Sequence, residues 1–293
     1  NGGFKKFKKI DYENSYQYYN IFREISTTDH AQKQMKLAHS NALFHDFYNL
    51  NSKFTFQSEI HTQFFNTENK KIGNNDYNNN YFRLFPMTGL KIETPMKNNK
   101  YNFFIYPKLA FIANSGQSNS EKISNEDSTN NHYTISKQLQ LNRYTGTDKL
   151  DNSKRINYSL GLEKNRFNLN LSQNYEFSKN SNYHKESGNN DYLSDLLGTA
   201  SYGSEKNLFS YNIRYDLDYN DIKKQYISYE NKNKLGEIKI NYLDEKIETN
   251  SILTSGNEQA TIDINSNKFK KYNKINLNYQ YNLITNKLNE YKV

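Results

Sequence analysis

Hydrophobic side chains recur at alternate positions along much of this chain. Between Phe54 and Phe64, residues Phe54, Phe56, Ile60 and Phe64 share one side with Ser58 and Thr62. Thr55, Gln57, Glu59, His61 and Gln63 take the other side. A period of two puts each set on one face of a β-strand, whereas a helix would scatter the phenylalanines around its axis. The pattern returns at Ile156, Tyr158, Leu160 and Leu162. There a polar turn, Glu163-Lys164-Asn165-Arg166, leads to Phe167, Leu169 and Leu171, with Tyr175 and Phe177 continuing the face, which predicts a hairpin. Further alternating runs are Phe209 to Leu217, Ile238 to Tyr242, Ala260 to Ile264 and Ile275 to Leu283, each backed by Asn, Lys, Asp, Ser or Gln.

Several of these runs reach about ten residues, the length of a tilted membrane strand and longer than the five or six usual in soluble sheets. Polar stretches at Asn66–Asn80, Asn114–Asn131 and Ser178–Asn190 are too long for tight turns and alternate with short connections. Long loops at one end and short turns at the other are the plan of an outer-membrane barrel. The pattern therefore predicts an all-β, antiparallel transmembrane β-barrel. A soluble β-sandwich alternates in the same way and is the competing fold. Asn1–Leu50 is less regular, and Gln32–His45 fits a strand or a short helix.

Composition sharpens this picture. Mean hydropathy is −1.04, which by itself suggests disorder, yet aromatic residues make up 15% of the chain, with 26 Tyr and 18 Phe. Disordered chains lack the aromatic surface that offsets ordering entropy, so the low mean reflects strands with one greasy and one wet face. The net charge of +8 raises nucleic acid as a partner, but the lysines are scattered rather than clustered, and no nucleic-acid partner is expected. No run of eighteen apolar residues is present, so no transmembrane helix is predicted. Neither an initiator Met nor a signal peptide is seen, cysteine is absent, and the final residues follow a strand-like run, so the chain reads as cut at both ends.

Three clusters interrupt the alternation. They are Ser124-Asn125-Glu126-Asp127-Ser128; Leu141-Asn142-Arg143-Tyr144-Thr145-Gly146-Thr147-Asp148-Lys149, continuing through Arg155 to Gly161; and Ser194-Asp195-Leu196-Leu197-Gly198 at the start of a strand. A Gly between Arg143 and Asp148 at a loop-to-strand junction predicts a tight backbone held by an Arg143–Asp148 ion pair. Direct contact of this segment with a ligand is the alternative. Glu126 and Asp127 are adjacent, so in extended chain they face opposite ways and do not form a carboxylate pair for catalysis or calcium. Loop capping or pairing with lysines is expected instead. The six histidines, His30, His39, His45, His61, His132 and His184, show no metal-ligand spacing. With no phosphate loop and no nucleophile elbow, neither an enzyme nor a cofactor is expected.

In order and spacing these clusters resemble the barrel domain of the LptD family, the lipopolysaccharide-assembly or organic-solvent-tolerance proteins, in its alphaproteobacterial form. The family's segments are Asn-Glu-Asp-Ser, then Asn-Arg-Phe-x-Gly-x-Asp-Arg, then Arg-x-x-x-Gly, then Ser-Asp-x-x-Gly. Arg83-Leu84-Phe85-Pro86, Thr94-Pro95 and Tyr106-Pro107 are similar to its proline-marked strands, and the resemblance runs from Phe82 to Asp218. Tyr144 stands where the family has Phe and Lys149 where it has Arg, which removes a guanidinium at the second position.

The resemblance implies an outer-membrane protein that passes lipopolysaccharide into the outer leaflet through a very large barrel. It also implies an LptE-type plug lipoprotein, a periplasmic transport bridge reached through an N-terminal jelly-roll domain, and a seam between the first and last strands. Residues 1–293 would then be an interior stretch of that barrel, roughly 12 to 14 strands, without the jelly roll or the last strands. Another outer-membrane barrel, porin-like or an autotransporter translocator, and a secreted adhesive β-protein are the alternative readings.

Overall fold

The computed structural model describes residues 10–24, 32–73, 75–116, 119–129, 134–183, 187–234, 236–249, 252–266 and 276–292. His30, His132, His184 and Ile275 lie outside them. The described chain is one antiparallel meander. It begins with β1 (Asp11–Arg23), β2 (Gln32–Asn49), β3 (Ser52–Ile72), β4 (Asn75–Glu93), a short β5 (Met96–Asn98) and β6 (Phe103–Asn114). One turn of helix, α1 (Ile135–Gln138), precedes β7 (Lys154–Lys164) and β8 (Phe167–Glu176). The sheet continues through β9 (Leu196–Ser204), β10 (Asn207–Asp216), β11 (Asp221–Asn233), β12 (Gly236–Thr249), β13 (Ile252–Ser266), β14 (Asn276–Asn282) and β15 (Lys287–Lys292). Each strand pairs with its sequence neighbour, except that β4 passes to β6 and β5 pairs with β6 alone. Among the described residues the hydrogen-bonded path is open, with β1 at one end and β15 at the other.

The faces of this sheet are inverted relative to a water-soluble protein. Beyond Ser52 at its start, the buried residues of β3 are His61, Gln63, Phe65 and Thr67, while Phe56 and Ile60 are 38% and 44% exposed. Gln34 and Lys36 on β2, Arg83 on β4, Arg155 and Asn157 on β7, and Ser172 and Asn174 on β8 are likewise buried. Leu37, Phe82, Leu84, Phe111, Tyr158, Phe209, Tyr229, Ile240, Ile262 and Tyr279 are exposed. In water such a sheet would turn its apolar face inward, because burying that area is the main driving force of folding. Hydrocarbon around the outer face removes the contradiction, as in a membrane barrel with an apolar outside and a polar inside. A sandwich would bury the phenylalanines of β3, so this arrangement decides against it. One apolar cluster does lie inside, where Leu141 and Leu150 pack on Phe85, Met87, Ala110 and Ile112.

The stretch Asn66–Asn80, expected as a loop, is mostly strand. β3 runs to Ile72 and β4 resumes at Asn75, with Gly73 at φ 60° in the turn. β2, β3 and β4 have 18, 21 and 19 residues, well beyond the roughly 9 to 11 that cross a bilayer. Outward apolar positions stop at Phe64 and Phe82. Beyond them Asn66, Glu68, Asn80 and Asn78 occupy the outer face, so the hairpin continues past the lipid with both faces polar. Gln32–His45, left open between strand and helix, is strand. The hairpin at Lys164/Phe167 forms as expected, with Asn165 at φ 54° in its two-residue turn. The long connections 115–153 and 177–195 leave the same end of the sheet, and the short turns at Leu50–Asn51, 165–166 and 205–206 lie at the other.

Candidate functional site

Both long connections fold onto the inner face and join it through a buried polar network. The first two sequence clusters lie side by side, tied by mutual backbone hydrogen bonds between Thr129 and Thr145 of 3.2 and 3.3 Å. Two aspartates then cap each other's loop. The Asp127 carboxylate accepts the amides of Thr147 (3.1 Å) and Asp148 (2.7 Å). The Asp148 carboxylate accepts those of Glu126 (2.7 Å) and Asp127 (3.0 Å). Each loop thereby satisfies amides of the other, which is how buried backbone donors must be accommodated. Gly146, at φ 84°, makes the approach possible, since a Cβ there would lie 2.3 Å from the Asp127 carbonyl oxygen.

Neighbouring residues of these two clusters complete the joint. Ser128 Oγ donates to Asp127 (2.8 Å) and accepts the Lys149 amide (2.9 Å). Asn125 closes a turn on Ser128, with Oδ1 accepting its amide at 3.0 Å and Nδ2 donating to its carbonyl at 2.6 Å. Asn142 Oδ1 accepts the amides of Tyr144 (3.2 Å) and Asp151 (3.1 Å). The expected loop capping is present. The charge partners are Lys36 for Asp127 and Arg23 for Glu126, the latter at 2.5 Å.

Lys36 joins the paired loops to the sheet. Its fully buried Nζ lies 2.6 Å from Asp148 and 3.0 Å from Asp127 and donates to Thr147 Oγ1 at 2.6 Å. Tyr19 on β1 donates to Asp148 at 3.1 Å, and Gln17 Nε2 donates to Asp127 at 3.1 Å. Gln34 receives the Ser124 amide at 2.7 Å, while Arg83 donates to the Thr147 and Asp148 carbonyls, both at 2.8 Å. Burial opposes the charge on Asp127, but the backbone donors at Asp148 and the Lys36 ammonium outweigh it. They hold the carboxyl well below the usual range.

A second centre forms around Arg143, and it corrects the expected ion pair with Asp148. The Arg143 guanidinium forks onto Asp151, with Nε at 2.6 Å and Nη2 at 3.2 Å, and Nη2 reaches Glu176 at 2.5 Å. Asp148 is already filled by Lys36 and backbone amides, whereas Asp151 presents both of its oxygens to the fork, which suits a guanidinium. Arg155 shares Asp151 at 3.0 Å and donates to Ser153 Oγ at 2.9 Å. Two arginines thus face two carboxylates, all four buried. Burial works against the charge on Asp151, yet Arg143 and Arg155 hold its carboxyl low. Tyr144 stacks on Tyr183 with centroids 4.9 Å apart, and Arg143 lies over the same ring at 4.7 Å. The Tyr144 hydroxyl donates to the Asn182 carbonyl at 2.8 Å.

The third cluster closes the 177–195 connection separately from the first two. Ser194 Oγ accepts the Asn174 amide at 2.9 Å, and Asp195 pairs with Arg214 on β10 at 2.5 Å. Burial nonetheless pushes the Asp195 carboxyl up, with Arg214 opposing it. Gly161 and Gly198 serve the sheet itself. Tyr106 from β6 lies over Gly161, and Ile213 and Leu171 meet over Gly198. Lys36, Tyr19, Gln34, Asp151 and Glu176 are essential to the network and have no distinguishing local pattern, being polar residues on alternating strands or beside the clusters; Arg83 is marked only by the Arg83-Leu84-Phe85-Pro86 segment.

Loop residues therefore contact the inner face of β1, β2, β3, β4, β6, β7 and β8. Among the described residues no group of His, Asp and Glu is placed to hold a metal ion. The arrangement is a plug whose charges are neutralised internally and most of whose polar atoms are engaged by the loops and the wall, with Asn114 Oδ1, Arg155 Nε and the Tyr183 hydroxyl buried without a hydrogen-bond partner among the described residues.

The family model for LptD, described as LPS transport system D, matches residues 4–291. No curated protein matches the chain.

Proposed function

The chain belongs to the LptD family, which serves lipopolysaccharide transport to the outer membrane, and from that premise we propose that it forms part of the translocon wall that inserts lipopolysaccharide into the outer leaflet. The observation that carries this reading is the inverted sheet, with an apolar outer face for lipid and a polar inner face for sugars. The plug covers β1 to β8 from inside. Further along, the inner face carries Asn212, Tyr226, Ser228, Asn241, Thr261 and Gln280 among the charged Lys224, Glu230, Lys239 and Asp263, groups that offer hydrogen bonds and charge without one tight site. Weak, distributed binding suits transit, because a substrate held too firmly does not leave.

Residues 1–293 are proposed to be one stretch of a larger barrel. The support is energetic: unpaired edges on β1 and β15 would be costly within hydrocarbon, where backbone groups find no water. Further strands would cover them. An LptE-type lipoprotein in the lumen and a periplasmic bridge delivering lipopolysaccharide are the partners this reading calls for. Depleting the full-length protein and measuring surface lipopolysaccharide tests it. A fall is expected, and unchanged surface levels would overturn the assignment.

A further inference from the structure

The outer face carries a groove of about 440 Å³ that opens at the long-loop end of β7. Its origin is a pair of small side chains in register, Thr88 on β4 facing Ala113 on β6, with Lys154 on β7 next in the row. The adjacent row is large, Phe56, Leu90 and Phe111, and forms one wall. Two strand spacings, from Thr88 to Lys154, make the row about 10 Å long. Because barrel strands tilt by about 35–45°, the row descends obliquely from the rim into the lipid band. At the rim stand Lys154, the first residue of β7, and Phe177, which is 59% exposed. Lys154 has no carboxylate partner among the described residues. The trough is thus apolar along its length and cationic at its mouth.

We propose that this groove holds one acyl chain of lipopolysaccharide, with a lipid A phosphate on Lys154. Shape supplies the chain site, since an aliphatic tail lying along the wall of Phe56, Leu90 and Phe111 fills the trough. Charge supplies the head site, as a lysine at a membrane interface extends toward anionic groups. Long barrel loops face the cell exterior, so the groove opens to the leaflet that receives the transported lipid. The inference rests on the transport reading above and adds a docking place on the outer wall, separate from the lumen.

The test is native mass spectrometry of the full-length protein in neutral detergent, with lipid A, phosphatidylglycerol or phosphatidylethanolamine added singly. Lipid A is expected to be retained above both phospholipids. Lys154→Gln should lower its retention about fivefold, the worth of one interfacial lysine. Ala113→Phe fills the trough from the outer face and should lower it comparably. Lys97→Gln, at the short-turn end, should change nothing. Equal retention of phosphatidylglycerol, or retention in both groove variants equal to the parent's, would sink the proposal. Surface lipopolysaccharide that falls on depletion, together with no lipid A retention, overturns the groove alone. Retained lipid A with surface levels unchanged on depletion overturns the transport reading and leaves the groove.

Discussion

Asp148 gathers donors from three separate parts of the chain: the ammonium of Lys36, the hydroxyl of Tyr19 and the amides of Glu126 and Asp127. Removing one partner of a buried ion pair costs about 3–5 kcal/mol, because the remaining charge is left without compensation. Asp148→Ala should therefore release the paired loops at the lower end of that range, Asp127 still being within reach of Lys36. Hydrogen exchange of the full-length protein would show it, as lost protection in 119–129 with β10 to β13 unchanged. Asp127 gives the pH dependence. Its carboxyl is depressed in the folded protein, so its contribution is complete above the unfolded value near pH 4 and is lost as pH falls below it. Protection of the Thr147 and Asp148 amides should hold from neutrality to about pH 4 and then decline. Asp127→Asn should flatten that decline, while acid sensitivity around Asp151, depressed by Arg143 and Arg155, persists.

At the level of elements, Thr129 and Thr145 are an antiparallel hydrogen-bonded pair joining the two loops. Such pairs hold their Cα atoms about 5.5 Å apart, within the span of a disulfide. Thr129→Cys with Thr145→Cys should oxidise readily in a chain that has no other cysteine, and non-reducing electrophoresis reads the product as a mobility shift. Absence of the cross-link would place the loops elsewhere. Alternation made the membrane strands legible, from Phe54–Phe64 through the 156–171 hairpin, because the lipid on their outer face demands an apolar residue at every second position. It failed at Asn66–Asn80, where the hairpin leaves the lipid and both faces turn polar. The clusters at Asn125–Ser128 and Asn142–Lys149 were legible as special, but their partners were not. Lys36 lies 112 residues from Asp148, and nothing local marks one lysine on a polar strand face as the one that a folded-in loop will cover. Arg143 was misassigned for a related reason: sequence proximity favoured Asp148, whereas the fold offered it Asp151 and Glu176.

For the whole molecule, the decisive property is that its two faces meet different solvents, and adjacent residues of one strand can test this. On β13, Ile262 points outward and is 41% exposed, while Thr261 faces inward opposite Asn241. In water an arginine at either position would cost little, as both lie on accessible surface. In a bilayer the positions diverge. Arginine on the lipid face near the midplane costs about 2–4 kcal/mol, whereas the lumen side stays hydrated. Ile262→Arg should therefore destabilise the full-length protein folded into lipid vesicles by that amount. Thr261→Arg should cost no more than about 1 kcal/mol for the hydrogen bond accepted from Asn241. Denaturant titration of both variants reads the difference directly. Equal costs would mean that the two faces share one solvent, and the inverted sheet would then have to be explained by a protein partner on its outer face.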